Sequence, residues 1–300
     1  MNVRYSICTL ALLLAVACGS NTPTTPNPPD TGPPVNNTPP VIGKFTVQGT
    51  RSNEPPNFAD ASEAVPVTVE VTDAESQTSD LKFNWSSDVG TFSGTGAKIT
   101  WTAPATVVAP GPITLNLEVV ETYTSQGKSV QNKVPSSTTL SLHDSAKEVS
   151  DMARQFLLDF SDSSMPVSLV MRNFHPDCEG TVAETAQVAQ NRIDFRIIAS
   201  KIGAAATTVQ FGGICPYRSP QHRGDACAQV PSYWKSEFIR SFTDDQGTYH
   251  SKGEQTAVDG TDQVSAMYYR DQQRWRLCDS SYDGHYVNTL RPVLLRSLVP

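Results

Sequence analysis

The stretch Thr138-Thr-Leu-Ser-Leu142-His-Asp144-Ser145-Ala-Lys-Glu148 is where the chain changes period. Up to Leu142 it reads as strand, and from Ser145 onward apolar residues recur at helical spacing. Ser145-Ala-Lys-Glu148 has the pattern of a capping box, in which the serine hydroxyl and the glutamate carboxylate satisfy free amides at a helix start. Val149, Met152, Ala153, Phe156, Leu157 and Phe160 then share one helical face. A domain boundary is expected between 142 and 143, with strands before it and helices after it.

Before the boundary, residues 41–142 read as an all-β sandwich. Strand-like runs recur between turn-forming residues: Val41–Val47, Val65–Val71, Leu81–Trp85, Ala97–Trp101, Ile113–Val120 and Thr138–Leu142. In Val67-Thr-Val-Glu-Val-Thr72 the valines fall on one face and the polar residues on the other. The segments Thr38-Pro-Pro-Val-Ile42, Val71-Thr-Asp73, Phe83-Asn-Trp85, Gly94-Thr-Gly-Ala97 and Trp101-Thr-Ala-Pro104 resemble the bacterial immunoglobulin-like repeats of surface proteins. That resemblance implies a core tryptophan on a middle strand, here Trp85. Asp73, Glu75 and Asp80 share a loop, but it lacks the tight Asp-rich spacing of a calcium site and reads as a solvated acidic turn.

After the boundary, a second short helix is expected over Pro166–Phe174. A third follows from the capping-box pattern Thr181-Val-Ala-Glu184, with Val182, Ala186, Ala189, Ile193 and Ile197 on its apolar face. Strands come next, the clearest over Ser236–Phe242, Gln263–Arg270 and Arg274–Cys278, the last two joined as a hairpin. Helices followed by antiparallel strands make an α+β domain over 143–300. The Asn173-Phe-His-Pro-Asp-Cys178 corner, Asn191-Arg-Ile-Asp-Phe195 and the Met267-Tyr-Tyr-Arg270 to Arg274-Trp-Arg-Leu-Cys278 hairpin resemble the nuclear transport factor 2-like fold over about 145–282. The resemblance implies a cone, with a curved sheet wrapped around helices and a pocket between them. Arg192, Tyr268 and Tyr269 are its pocket candidates, although strand alternation allows at most one of the two tyrosines to face inward. The insert 212–230 and the tail 282–300 depart from the family pattern.

The first twenty residues set the compartment. Arg4 precedes the apolar run Ile7–Ala17, which closes on Ala15-Val-Ala-Cys18-Gly-Ser20, the plan of a secretory signal. It is too short for a membrane span. The closing segment resembles the lipobox of bacterial lipoproteins, which implies cleavage after residue 17 and lipid, palmitate included, on Cys18. Gly19 after it resembles lipoproteins sent to the outer membrane. Residues 18–40 hold proline at close intervals and almost no apolar side chains, so they read as an extended, disordered tether.

Six cysteines are present; with Cys8 in the signal and Cys18 lipidated, four remain, and an even number in an exported chain reads as disulfides. Cys178 with Cys278 and Cys215 with Cys227 is the preferred pairing, the second pinning a polar loop. No Cys-x-x-Cys pair suggests zinc.

A net charge of -7 gives nothing to hold nucleic acid by charge. Gly-x-Ser-x-Gly, Gly-x-Gly-x-x-Gly, His-Glu-x-x-His and phosphate-loop patterns are missing, and the five histidines are scattered singly, so no catalytic residue, metal or cofactor is assigned. The expectation is a membrane-tethered envelope lipoprotein that binds a protein or a small apolar molecule. The alternatives are a cofactor-free isomerase or dehydratase in the cone, or a purely structural envelope component.

Overall fold

The computed structural model describes residues 35–51, 54–203, 205–212, 215, 224–243 and 247–286. The signal with Cys18, most of the tether, loop 216–223 and the tail from 287 lie outside the described residues.

Eight strands come first: β1 (Val41–Val47), β2 (Phe58–Asp60), β3 (Ala64–Thr72), β4 (Lys82–Ser86), β5 (Thr91–Ser93), β6 (Lys98–Thr102), β7 (Gly111–Ser125) and β8 (Lys128–His143). They form two four-stranded sheets, ordered β1-β3-β6-β5 and β2-β8-β7-β4. Alternation dictates this: Val65, Val67, Val69 and Val71 of β3 all point inward, while its even-numbered neighbours are half-buried or exposed. Val67 and Trp101 of one sheet share a core with Leu115, Leu140 and Leu142 of the other. β8 begins well before the expected Thr138, because Gln126-Gly127, both at positive φ, close a tight hairpin from β7.

Trp85 packs against the core from its edge, while the fully buried tryptophan is Trp101 of β6. Trp101 is 0% exposed and its indole N–H donates to the Val89 carbonyl at 3.2 Å. Trp85 is half-buried, its indole donating to the Gly96 carbonyl. The chain reaches Trp101 through Gly90, at φ +77°, where a Cβ would lie 2.6 Å from the indole. Gly90→Ala is therefore expected to cost roughly 1–3 kcal/mol, read as a lowered urea midpoint; an unchanged midpoint would count against this packing.

The second part contains α1 (Ser145–Ser161), α2 (Val167–Val170) and α3 (Glu179–Asp194). Seven strands follow: β9 (Phe195–Ile202), β10 (Thr208–Phe211), β11 (Ala226–Phe238), β12 (Phe242–Thr243), β13 (Tyr249–His250), β14 (Gln255–Tyr269) and β15 (Arg274–Tyr286). β11, β14 and β15 make the antiparallel body of a five-stranded sheet, with β10 and β9 paired in succession along the free edge of β11. Phe156 and Phe160 of α1 pack on it, Phe160 meeting Trp234 edge-on at 5.6 Å. No helix among the described residues is long and apolar enough to cross a membrane.

Both expected capping boxes shift. The N-cap of α1 is Asp144, which accepts the Lys147 amide, while Glu148 accepts the amide of Asp144. Ser145 is drawn off because its hydroxyl accepts the Trp275 indole and its amide goes to Asp60. α3 begins at Glu179, before Thr181, whose hydroxyl bonds the carbonyls of His175 and Cys278. Its buried face is Thr181, Glu184, Val188 and Asn191, whereas Val182 and Ile193 point to solvent. The apolar pattern misleads here because the sheet beneath is polar: Ser280 donates through its amide and hydroxyl to Glu184. Ile197 lies in β9 rather than α3, as its β-branched run pairs with β11.

Disulfides join Cys178 to Cys278 and Cys215 to Cys227, the pairing preferred from sequence. The first ties the start of α3 to β15. Beside it, the Asn173–His175 corner adds two backbone bonds to Leu277.

Candidate functional site

The parts meet at Phe58, His143 and Tyr268. β2 runs parallel to β8, setting Phe58 beside Ser141 and Asp60 beside His143. Period-2 alternation puts Ser141 and His143 on one face of β8, and the first turn of α1 brings Glu148 back to them. The Ser141 hydroxyl lies 2.7 Å from His143 Nε2, and Glu148 Oε1 lies 2.9 Å from Nδ1. The carboxylate fixes the imidazole proton on Nδ1, so Nε2 accepts from Ser141 and from the Tyr268 hydroxyl at 3.2 Å. Phe58 stacks on the imidazole at 4.9 Å between ring centres. Burial pushes the Tyr268 hydroxyl above its ordinary pKa, and the charges of Glu148 and Asp60 add to it.

Serine, histidine and carboxylate are connected here in the order of a nucleophile, its base and the base's orienter. The setting does not serve that chemistry. His143 is 0% and Ser141 4% exposed, and the Ser141 amide is spent on the Asn57 carbonyl, so it offers no donor to an oxyanion. The arrangement buckles the two parts together.

In front of Tyr268 opens a cleft of about 200 Å³, walled by Phe211, Trp275 and Tyr268 with Arg51, Asp225 and Arg270 around them. Arg270 is exposed and makes no ion pair among the described residues, leaving its charge free for a ligand. Arg51 lies over Phe211 at 4.5 Å and pairs with Asp60, holding the cleft's floor across the seam. On the other side of Trp275 a hollow of about 360 Å³ runs between Val107 and Val108 and the Lys147–Met152 face of α1.

Below Arg51 the carboxylates of Glu54, Asp60 and Glu63 converge, their ligand atoms within 4.8 Å of one another. Burial and the neighbouring Glu63 carboxyl raise the Glu54 carboxyl to about 7, against the pull of Arg51. The sequence reading missed this group, which is split between the segment before β2, the end of β2 and the turn after it. Its only signal was three acids within ten positions. Asp73 and Glu75 do not assemble with Asp80: Asp73 accepts the Glu75 and Ser76 amides, and Glu75 accepts from Thr38.

The three pocket candidates separate. Tyr268 lines the cleft, at the seam rather than inside a cone. Tyr269 stacks on His175 at 3.6 Å on the opposite face. Arg192 donates to the carbonyls of Asp162 and Ser163, a structural clamp on the turn after α1. The interior instead holds Asp262, fully buried beneath Trp234, whose indole donates to it at 2.9 Å. Burial is the main cause that lifts its carboxyl to about 7, and the charge of Glu184 adds to it.

No protein-family model, curated protein or solved structure matches the chain.

Proposed function

We propose that the chain is an exported cell-envelope lipoprotein, tethered through lipid on Cys18 and residues 18–40, whose folded body acts by binding. In this reading the body is an immunoglobulin-like sandwich carrying a nuclear transport factor 2-like α+β domain, held at the outer membrane. The partner is a protein or a small molecule with an apolar body, and no nucleic acid.

The cleft at the seam carries the binding reading. Junctions between domains are favoured ligand sites, and this one offers aromatic walls with a free arginine at the rim. Two of the groups suited to acid, base or nucleophilic work are sealed: Ser141 under Phe58 and Tyr268, and Asp262, 1% exposed, under Trp234. The two disulfides fit an oxidising, exported setting.

Two measurements test the parts of this reading. With labelled palmitate, the full chain is expected to take up label and sediment with membranes, and Cys18→Ser to lose both; a Cys18→Ser chain that stays with the membrane refutes the tether. Native mass spectrometry of the full chain is expected to show extra mass that denaturation removes and that Arg270→Ala with Phe211→Ala diminishes. Retained mass indifferent to those substitutions places the ligand elsewhere.

A further inference from the structure

We propose that Glu54, Asp60 and Glu63 form a binding site for a hard divalent cation of the calcium class, placed where it locks the two folded parts together. The donors are all carboxylate oxygens, which suits calcium or magnesium and not the softer transition metals. Calcium binds oxygen at about 2.3–2.6 Å, so oxygens on opposite sides of one ion stand about 4.6–5.2 Å apart. The three ligand atoms here lie within 4.8 Å of one another, a spread that one such ion spans.

A second observation points to a ligand. The residue Glu54 is 7% exposed, its side chain is wholly buried, and its Oε1 has no hydrogen-bond partner, the Arg51 guanidinium standing 3.7 Å away, beyond hydrogen-bond reach. A buried carboxylate oxygen without a donor costs more than the group would in water. Its other oxygen, Oε2, accepts the Arg51 amide at 3.2 Å and faces Glu63 across Gly49. Gly49 is what allows the approach, because a Cβ there would lie 2.4 Å from Glu63 Oε1. Among the described residues the cluster has one cationic partner, Arg51, for three carboxyl groups, and an arriving ion would displace the proton that burial and Glu63 favour on Glu54. A divalent ion offsets the remainder.

The position gives the ion a consequence. Asp60 reaches across the seam, its Oδ1 accepting the Ser145 amide at the start of α1 at 2.8 Å. The next residue, Ala61, donates its amide to the His143 carbonyl. An ion on Asp60 would therefore stiffen the contact that carries the Phe58–His143–Tyr268 packing and the floor of the cleft.

Calorimetric titration of the EDTA-stripped full chain with calcium chloride is the test. Saturable binding of one ion per chain is expected. Glu54→Gln and Glu63→Gln, each removing a direct ligand, should weaken it by more than the roughly 10–100-fold that loss of a mere supporting group costs. Asp73→Asn, in the separate acidic loop, should leave it unchanged. The thermal midpoint of the native chain should rise with calcium, and that of Glu63→Gln should not. Absence of binding by the native chain, or binding indifferent to both glutamine substitutions, overturns the site; the native titration decides alone should a variant fail to fold.

Discussion

Replacing Cys178 and Cys278 together by alanine is expected to lower the unfolding free energy of the α+β part by about 4–5 kcal/mol on the chain-entropy model. The bond spans 100 positions, so its loss frees most of that part of the unfolded chain. The Cys215–Cys227 bond spans only 12, and the same model gives it about 3 kcal/mol. Loop length therefore ranks the two bonds, and the long one dominates. Position adds to the difference. Cys178 occupies the N-cap position of α3 and Cys278 falls at a register shift between β14 and β15, so the covalent link restrains the sheet where its regular pairing breaks. Hydrogen exchange locates the effect: amides of β11 and β14 should lose protection in the long-bond variant, while β3 and β6, in a core of their own, should keep theirs. Equal loss in β3 and β6 would mean that the seam, rather than each core, sets the unit of unfolding.

What the sequence carried was local, and what it lacked was tertiary. Val65 to Val71 announced β3 because a strand with one wet face must alternate, and the structure keeps that register residue for residue. The change of period at Leu142 to Ser145 marked a true junction between β8 and α1. The same stretch hid its chemistry. His143 looked like a lone histidine, and only the parallel pairing of the short β2 with β8 brings Phe58 and Asp60 beside it. Ser145 looked like an N-cap, but Trp275, 130 positions away, takes its hydroxyl. The polar underside of α3 was unreadable for a similar reason. Glu184 faces inward because the sheet offers Ser280, and no helical periodicity can register a polar partner so far along the chain. Capping patterns yield to tertiary competition for the same side-chain atoms.

The buried polar interior makes its own prediction, in the pH dependence of Asp262→Asn. The Asp262 carboxyl has an ordinary value of 3.8 and is held at about 7 in the fold, chiefly by burial. Between those values the native state keeps a proton that the unfolded chain releases. The native state thus binds more protons, and stability falls as pH rises through the window, by about 1.4 kcal/mol per pH unit. The loss approaches about 4 kcal/mol by pH 7 and then stops, because above that value both states are ionised. Asparagine carries no charge and its carbonyl oxygen still accepts the Trp234 indole, so the variant removes the slope without emptying the site. At pH 4 the two proteins should unfold at similar urea concentrations, and at pH 8 the variant should be the more stable by several kcal/mol. Glu54 titrates in the same window, but it is present in both proteins and drops out of the difference. Parallel stability curves from pH 4 to 8 would show that Asp262 is already ionised in the fold. A gap that opens with rising pH would show instead that the α+β part keeps a neutral acid beneath Trp234 at the cost of its own stability.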